Sequence, residues 1–156
     1  MTLTLLACLA LSAPRSHSPA PYAAYFPTDY GDLVCNSPEQ FLSWTSVGGL
    51  QTSPIKGTRP RGVDSLSDQA QRQALLADPK ERAEHLMVVD LLRNDLGRVS
   101  QAGSVRCDRL FEAVAFPEVW HLVTQVRSQV LPHFDRADVL SRLLPGGSIT
   151  GAPKRA

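Results

Sequence analysis

Pro54-Ile55-Lys56-Gly57-Thr58-Arg59-Pro60-Arg61-Gly62 is the stretch around which the rest of the chain has to be arranged. Proline fixes φ and supplies no N–H, while glycine opens conformations that other residues avoid. The stretch can continue neither a helix nor a central strand, so a shaped loop is expected. Its free N–H groups and its cations, Lys56, Arg59 and Arg61, suit an anionic ligand. A lysine is nucleophilic only when deprotonated, which means lowering a pKa of about 10.4 by desolvation or nearby cations. Arg59 and Arg61 are candidates for that second effect. Composition alone reads as a solvated basic turn, and the rest of the chain has to decide between the two.

At 156 residues there is room for one domain with a real core and hardly for two. A content of 43% hydrophobic and 20% charged residues is that of an ordinary globular protein. A net charge of +1 gives no reason to expect a nucleic-acid or membrane-surface partner. Cys8, Cys35 and Cys107 are odd in number and far apart, which fits free thiols in a reducing compartment better than zinc ligands or a disulfide framework. Residues 3–11 are apolar like the middle of a signal peptide, but no basic residue precedes them. They fall short of the ~20 residues a membrane span needs. A helix end from a longer protein is the expected reading, in a cytoplasmic protein. Arg15 and the serines near it leave organellar targeting open.

Tyr22, Ala24 and Phe26 alternate as in a strand, and Leu33-Val34-Cys35 reads as a second short one. Asn36-Ser37-Pro38-Glu39 has the composition of a helical turn with Ser37 as cap, followed by an apolar run at Phe41, Leu42 and Trp44. Residues 63–77 suggest a short helix starting near Asp64 or Ser67. The clearest helix starts at Asp78 as N-cap, with Pro79 in the first turn and Glu81 closing an acidic capping box, and runs to Gly97. Its apolar content suggests a buried helix. Asp90 falls inside the apolar run and is expected in a buried ion pair or cap with Arg93 or Asn94.

Glu81 and Glu84 are spaced to share one face of that helix. They serve either as dipole compensation or as part of a hard-cation site, since magnesium commonly takes one or two carboxylates, waters and ligand oxygens. Leu110-Phe111-Glu112-Ala113 looks helical. Trp120 to Val130 has strand periodicity, with Trp120, Leu122, Val126 and Val130 on one face and His121, Gln125, Arg127 and Gln129 on the other. Asp135 to Leu144 is a short helix, followed by Pro145-Gly146-Gly147-Ser148-Ile149-Thr150-Gly151-Ala152-Pro153-Lys154. That loop suits anions through successive free N–H groups but lacks the Walker A spacing.

Ser37-Pro38-Glu39, Pro54 to Arg61, Arg82 to Arg98, His121-Leu122-Val123 and Pro145 to Lys154 come in the order and at the spacing of the signatures of the chorismate-utilising enzymes. The chain resembles that family over residues 18–156, as a partial chorismate-binding domain, with residues 1–17 as a non-family N-terminal segment. The resemblance implies an α+β fold, the middle part of a two-sheet antiparallel sandwich with outer helices. Lys56, where anthranilate synthases typically carry alanine, and the wording of the last motif resemble the aminodeoxychorismate synthase component I branch. That branch replaces the C4 hydroxyl of chorismate by ammonia on the route to p-aminobenzoate and folate, with the ammonia coming from a glutamine amidotransferase subunit or fused domain. Anthranilate synthase component I is the alternative, and a non-catalytic binding remnant is another.

By resemblance Lys56 is the nucleophile, Glu39 the general acid and His121 the histidine beside the substrate. Thr58, Gly147 and Ser148 match substrate-binding positions, Glu84 a magnesium ligand, and Glu81 a weaker metal candidate. Family members continue past the Gly-Ala-Pro-Lys motif into a region with a second magnesium glutamate and a substrate-binding arginine. The chain is therefore expected to be the middle of the enzyme and inactive alone.

Overall fold

In the computed structural model, which describes residues 20–147, the 54–62 segment is mostly a strand. Nine strands and three helices follow in the order β1 (Tyr22–Phe26), β2 (Leu33–Ser37), β3 (Gln40–Trp44), β4 (Gly49–Ser53), β5 (Ile55–Pro60), α1 (Ser65–Ala77), α2 (Pro79–Gly97), β6 (Arg106–Cys107), β7 (Glu112–Ala115), β8 (Val119–Val123), β9 (Val126–Gln129) and α3 (Arg136–Leu143) among the described residues. The expected loop is thus corrected to β5. The physical reason is position: β5 lies at the edge of a three-stranded sheet ordered β5-β8-β7. Proline is tolerated on an edge strand, where one side of the backbone has no ladder to complete.

The described residues form two compact units, one ending at Gln40 and the other beginning at Phe41. In the first, β1 and β2 make an antiparallel pair from Tyr22↔Ser37 to Phe26↔Leu33. The helical turn expected at 36–39 is instead a tight connection from β2 to β3. Ser37 Oγ accepts from Glu39 N at 3.2 Å, the same local bond a helix cap would make, closing a bend.

The second unit is built on a bent ribbon. β4 pairs antiparallel with β9 in a four-stranded sheet ordered β3-β4-β9-β6, and β5 pairs antiparallel with β8 in the three-stranded sheet. Only Pro54 separates β4 from β5, and Thr124-Gln125 separates β8 from β9. Both strands bend at the same level, where Thr124 N donates to Pro54 O at 3.3 Å. The pair thereby passes from one sheet into the other, a corner of the kind strands make when they switch sheets. The single strand expected over 120–130 is therefore two, yet its alternation holds. Leu122, Thr124, Val126, Ser128 and Val130 are all buried.

The helices cover these sheets. α1 packs on β5, β7 and β8, α2 on β5 and β9, and α3 on α2. Each begins with a side-chain cap supplied by aspartate. Asp64 accepts from Ser67 N at 2.8 Å and Asp135 from Asp138 N at 2.8 Å, both as capping boxes, and Asp78 accepts from Lys80 N and Glu81 N. Such caps stabilise by about 0.5–2 kcal/mol each. The core joins Leu50, Val126 and Val130 of the four-stranded sheet and its flank to Val89 and Leu96 of α2 and Val139 and Leu143 of α3.

Helix α2 is amphipathic rather than buried throughout. His85, Val88, Val89, Leu92, Asp95 and Leu96 face inward, whereas Leu86 and Met87 are exposed. Asp90 does pair with Arg93 at 2.8 Å, but on the solvent side; the buried carboxylate is Asp95. The expected helix at Leu110–Ala113 is also absent. Phe111 adopts φ 59°, which a helix cannot continue through, and β7 starts at Glu112. Among the described cysteines Cys35 and Cys107 are free, as expected, and no described helix is long and apolar enough to cross a membrane.

Candidate active site

The site begins with a bulge in β5. Lys56 pairs with Leu122 and Thr58 with His121, so Gly57 is an extra residue between two regular rungs. Gly57 has φ 77°. A Cβ at Gly57 would lie 3.1 Å from both Glu81 Oε2 and Leu75 Cδ1. Glycine is needed here both for its backbone conformation and for the space it leaves. The bulge is thus pressed from the helix side by Leu75 of α1 and Glu81 of α2.

Immediately after it, Thr58 Oγ1 lies 3.0 Å from His121 Nδ1, and the Gly57 carbonyl lies 3.3 Å from the same nitrogen. A carbonyl can only accept, so a proton on Nδ1 serves Gly57 O and leaves Nε2 its lone pair. The ring of Phe116 meets His121 edge-on, centroids 4.9 Å apart, which further fixes the imidazole. Lys56, one residue before the bulge, is exposed and has no ion-pair partner among the described residues.

The neighbouring arginines are different. Arg59 Nη2 meets Asp78 Oδ2 at 2.9 Å, so Asp78 caps α2 and ties it to β5 at once. Arg61 makes two bonds of 2.7 Å to Asp68 and a third to Phe116 O, and its guanidinium lies 4.8 Å from the Trp120 ring centroid. Asp68 also accepts from Gly62 N and Trp120 Nε1. The Arg61 guanidinium, then the Gly62 N–H, hold the Asp68 carboxyl well below the usual carboxylate range. Both arginines are therefore neutralised clamps between β5 and the helix starts. This corrects the expectation that they serve an anion or act on Lys56.

Sequence reasoning missed His85. It is fully buried, with Nε2 2.7 Å from Thr124 Oγ1, and Thr124 Oγ1 also accepts from Phe111 N at 3.1 Å. The Phe111 ring packs 5.7 Å from His85, and Arg82 sits 4.3 Å over that ring. Nδ1 of His85 is buried without a hydrogen-bond partner. Burial pushes the imidazole down to about 4, the Lys56 backbone acts the other way, and the Lys56 cation adds to the depression. A signal was available: His85 lies three and four residues before Val88 and Val89, on the stripe that the core side of α2 follows.

The remaining expected residues are spread out. Glu81 is half-buried against Gly57, while Glu84 is exposed, with Oε1 3.8 Å from Lys80 Nζ. Among the described residues no group of three or more His, Cys, Asp or Glu side chains gathers to hold a metal ion. Magnesium commonly takes only one or two protein carboxylates and completes its shell with waters and ligand oxygens, so Glu84 and Glu81 stay candidate ligands for it. Gly147 N donates to Asp95 Oδ2 at 3.0 Å, which fastens the start of the glycine-rich loop to α2. Ser148 lies outside the described residues. Glu39 sits in the bend between β2 and β3, in the first unit.

A family model described as chorismate binding enzyme matches residues 6–156. Over 135 residues the chain is 50% identical to aminodeoxychorismate synthase component 1 of Klebsiella aerogenes, covering 86% of this chain and 30% of that protein. It is 42% identical over 140 residues to anthranilate synthase component 1 of Aquifex aeolicus, covering 90% of this chain and 28% of that one. The solved structure of anthranilate synthase component I from Streptococcus pneumoniae superposes with a TM-score of 0.77 at 34% identity, covering 93% of this chain and 31% of its own. The chain thus spans about 30% of the length of these relatives.

Proposed function

Because the chain belongs to the chorismate-binding enzyme family, matched over residues 6–156, we propose that the protein carrying it replaces the C4 hydroxyl of chorismate by ammonia to give 4-amino-4-deoxychorismate. The observation that carries this reading is Lys56. It is the one cation of the 54–62 segment without a carboxylate partner among the described residues, and along β5 only the Gly57 bulge separates it from Thr58, which meets His121. Relatives at 50%, 44% and 45% identity bear the name aminodeoxychorismate synthase component 1, which supports the aminating branch and a route to p-aminobenzoate and folate.

In this reading the Lys56 amine attacks C2 of chorismate while the C4–O bond breaks. The departing hydroxyl takes a proton from Glu39 and leaves as water; proton transfer of this kind contributes roughly 10²–10⁴ in rate. Ammonia then forms the C4–N bond as the C2–N bond to Lys56 breaks and returns the electron pair to the amine. Thr58 and His121 orient the substrate, with Gly147 and Ser148 presenting the glycine-rich loop to it. The word "component" in the relatives' names supports a glutamine amidotransferase as the source of ammonia. Activity is proposed for the protein that carries this chain, not for these 156 residues in isolation.

The test is product identity. That protein, given chorismate, ammonium and magnesium, should form 4-amino-4-deoxychorismate. Anthranilate as the product would move it to the other branch, the one named for its Aquifex aeolicus relative.

A further inference from the structure

The last turn of α2 holds a carboxylate to which the proposed reaction gives no task. Asp95 is buried there, and its Oδ2 accepts the Gly147 N–H at 3.0 Å in a buried hydrogen bond. Leu92 and Leu96 of the same helix and Leu143 of α3 line a small cavity together with Asp95. In such apolar surroundings a hydrogen bond is stronger than in water, and its loss costs more. The fit is close as well as polar. A Cβ at Gly147 would stand 3.0 Å from Asp95 Oδ2 and 3.5 Å from Leu91 Cβ. Gly147 is not at positive φ, so glycine is needed here for closeness rather than for its backbone conformation. Only Pro145 and Gly146 separate this contact from Leu144, the C-cap of α3. The start of the glycine-rich loop is therefore held at two nearby points, by the end of α3 and by Asp95.

We infer that Asp95 is a positioning residue for the glycine-rich loop. Its carboxylate holds the Gly147 main chain against the last turn of α2, and so fixes the place from which the loop is presented to chorismate. The inference rests on the proposed function for the loop's task, but its first test needs no activity.

That test is amide hydrogen exchange in the protein carrying this chain. Asp95→Leu removes the acceptor and keeps a side chain of similar size, whereas Asp95→Asn keeps an acceptor oxygen. The Leu variant should exchange the Gly147 amide roughly tenfold faster, the size of a lost buried hydrogen bond, with the Val89 amide in the core of α2 unchanged. The Asn variant should recover most of the slow exchange at Gly147. Equal acceleration at Gly147 and Val89, or an Asn variant as fast as the Leu variant, would reduce Asp95 to a core residue and overturn the inference. If the Leu variant does not fold, Gly147→Ala takes its place, since the added methyl meets Asp95. That variant should speed exchange of its own amide while Val89 stays slow, and unchanged exchange would overturn the inference. Should the protein prove to aminate chorismate, Asp95→Leu should raise KM for chorismate roughly tenfold with kcat held. A merely destabilised enzyme loses active molecules, which lowers apparent kcat and leaves KM, and that outcome would also overturn the inference. Absence of amination in the unaltered protein would count against the proposed function and leave the exchange result standing.

Discussion

Replacing Gly57 by alanine tests whether the bulge is held as tightly as its neighbours suggest, and Gly103 supplies a matched control. The two glycines have nearly the same backbone, φ 77° and φ 74°. At Gly103 a Cβ would meet nothing within 4 Å, whereas at Gly57 it would stand 3.1 Å from Leu75 Cδ1 and from Glu81 Oε2 and 3.4 Å from Glu81 Cβ. Gly103→Ala should therefore cost only the left-handed backbone strain, about 1–2 kcal/mol before a partial offset from reduced unfolded-state entropy. Gly57→Ala carries the same terms and must also push back Leu75, which is fully buried and has little room to yield. Overpacking a core site adds about 1–3 kcal/mol. Denaturant unfolding of both variants measures the difference directly, provided the m-value is unchanged. An excess cost of 1 kcal/mol or more at Gly57 is expected on these estimates. Equal costs at the two positions would refute the claim that α1 and α2 clamp the bulge and with it the placement of Lys56.

Thr58→Val removes the hydroxyl beside His121 Nδ1 while keeping the shape, and should lower chorismate turnover by a factor of roughly 3–10, the worth of one hydrogen bond, in a steady-state assay. Leu96→Ala, in the core between α2 and the four-stranded sheet, should cost about 2–5 kcal/mol in denaturant unfolding. Asp68 has a folded-state pKa below its unfolded one, so the stability it lends is complete above the ordinary carboxylate range and is lost as the pH falls through and below it. The melting temperature of the unaltered protein should drop across that acid window, Asp68→Asn should flatten the drop, and Trp120 fluorescence should report the loss of its bond to Asp68. A drop of equal slope in both proteins would place the acid sensitivity elsewhere.

The parts of the fold that were legible in the sequence are those decided locally. Asp64, Asp78 and Asp135 announce their helices because a cap is a bond to N–H groups two or three residues away. The alternation from Trp120 to Val130 foretold which face is buried, since strand periodicity survives the bend at Thr124. What failed depends on distant chain. Prolines and glycines exclude a central strand from 54–62 but not an edge strand, and only the pairing with β8 makes β5 an edge. Helical phase alone does not say which side of α2 meets the sheets, so the sequence points to Asp90 as the buried carboxylate where the fold buries Asp95. Arg59 and Arg61 looked like free cations because their partners, Asp78 and Asp68, come into reach only when α1 and α2 fold back on β5. Lys56, Thr58 and His121 were legible as candidates through resemblance, and the geometry adds that Thr58 and His121 touch and that Gly57 separates them from Lys56.

The measurement that bears most directly on the central proposal is peptide mass spectrometry of the protein carrying this chain after exposure to chorismate without ammonia. The peptide containing Lys56 should gain the mass of chorismate less one water, lose it again when ammonium is added, and show no gain in Lys56→Ala. Amination that proceeds undiminished in Lys56→Ala, or an adduct on another lysine, would contradict the account.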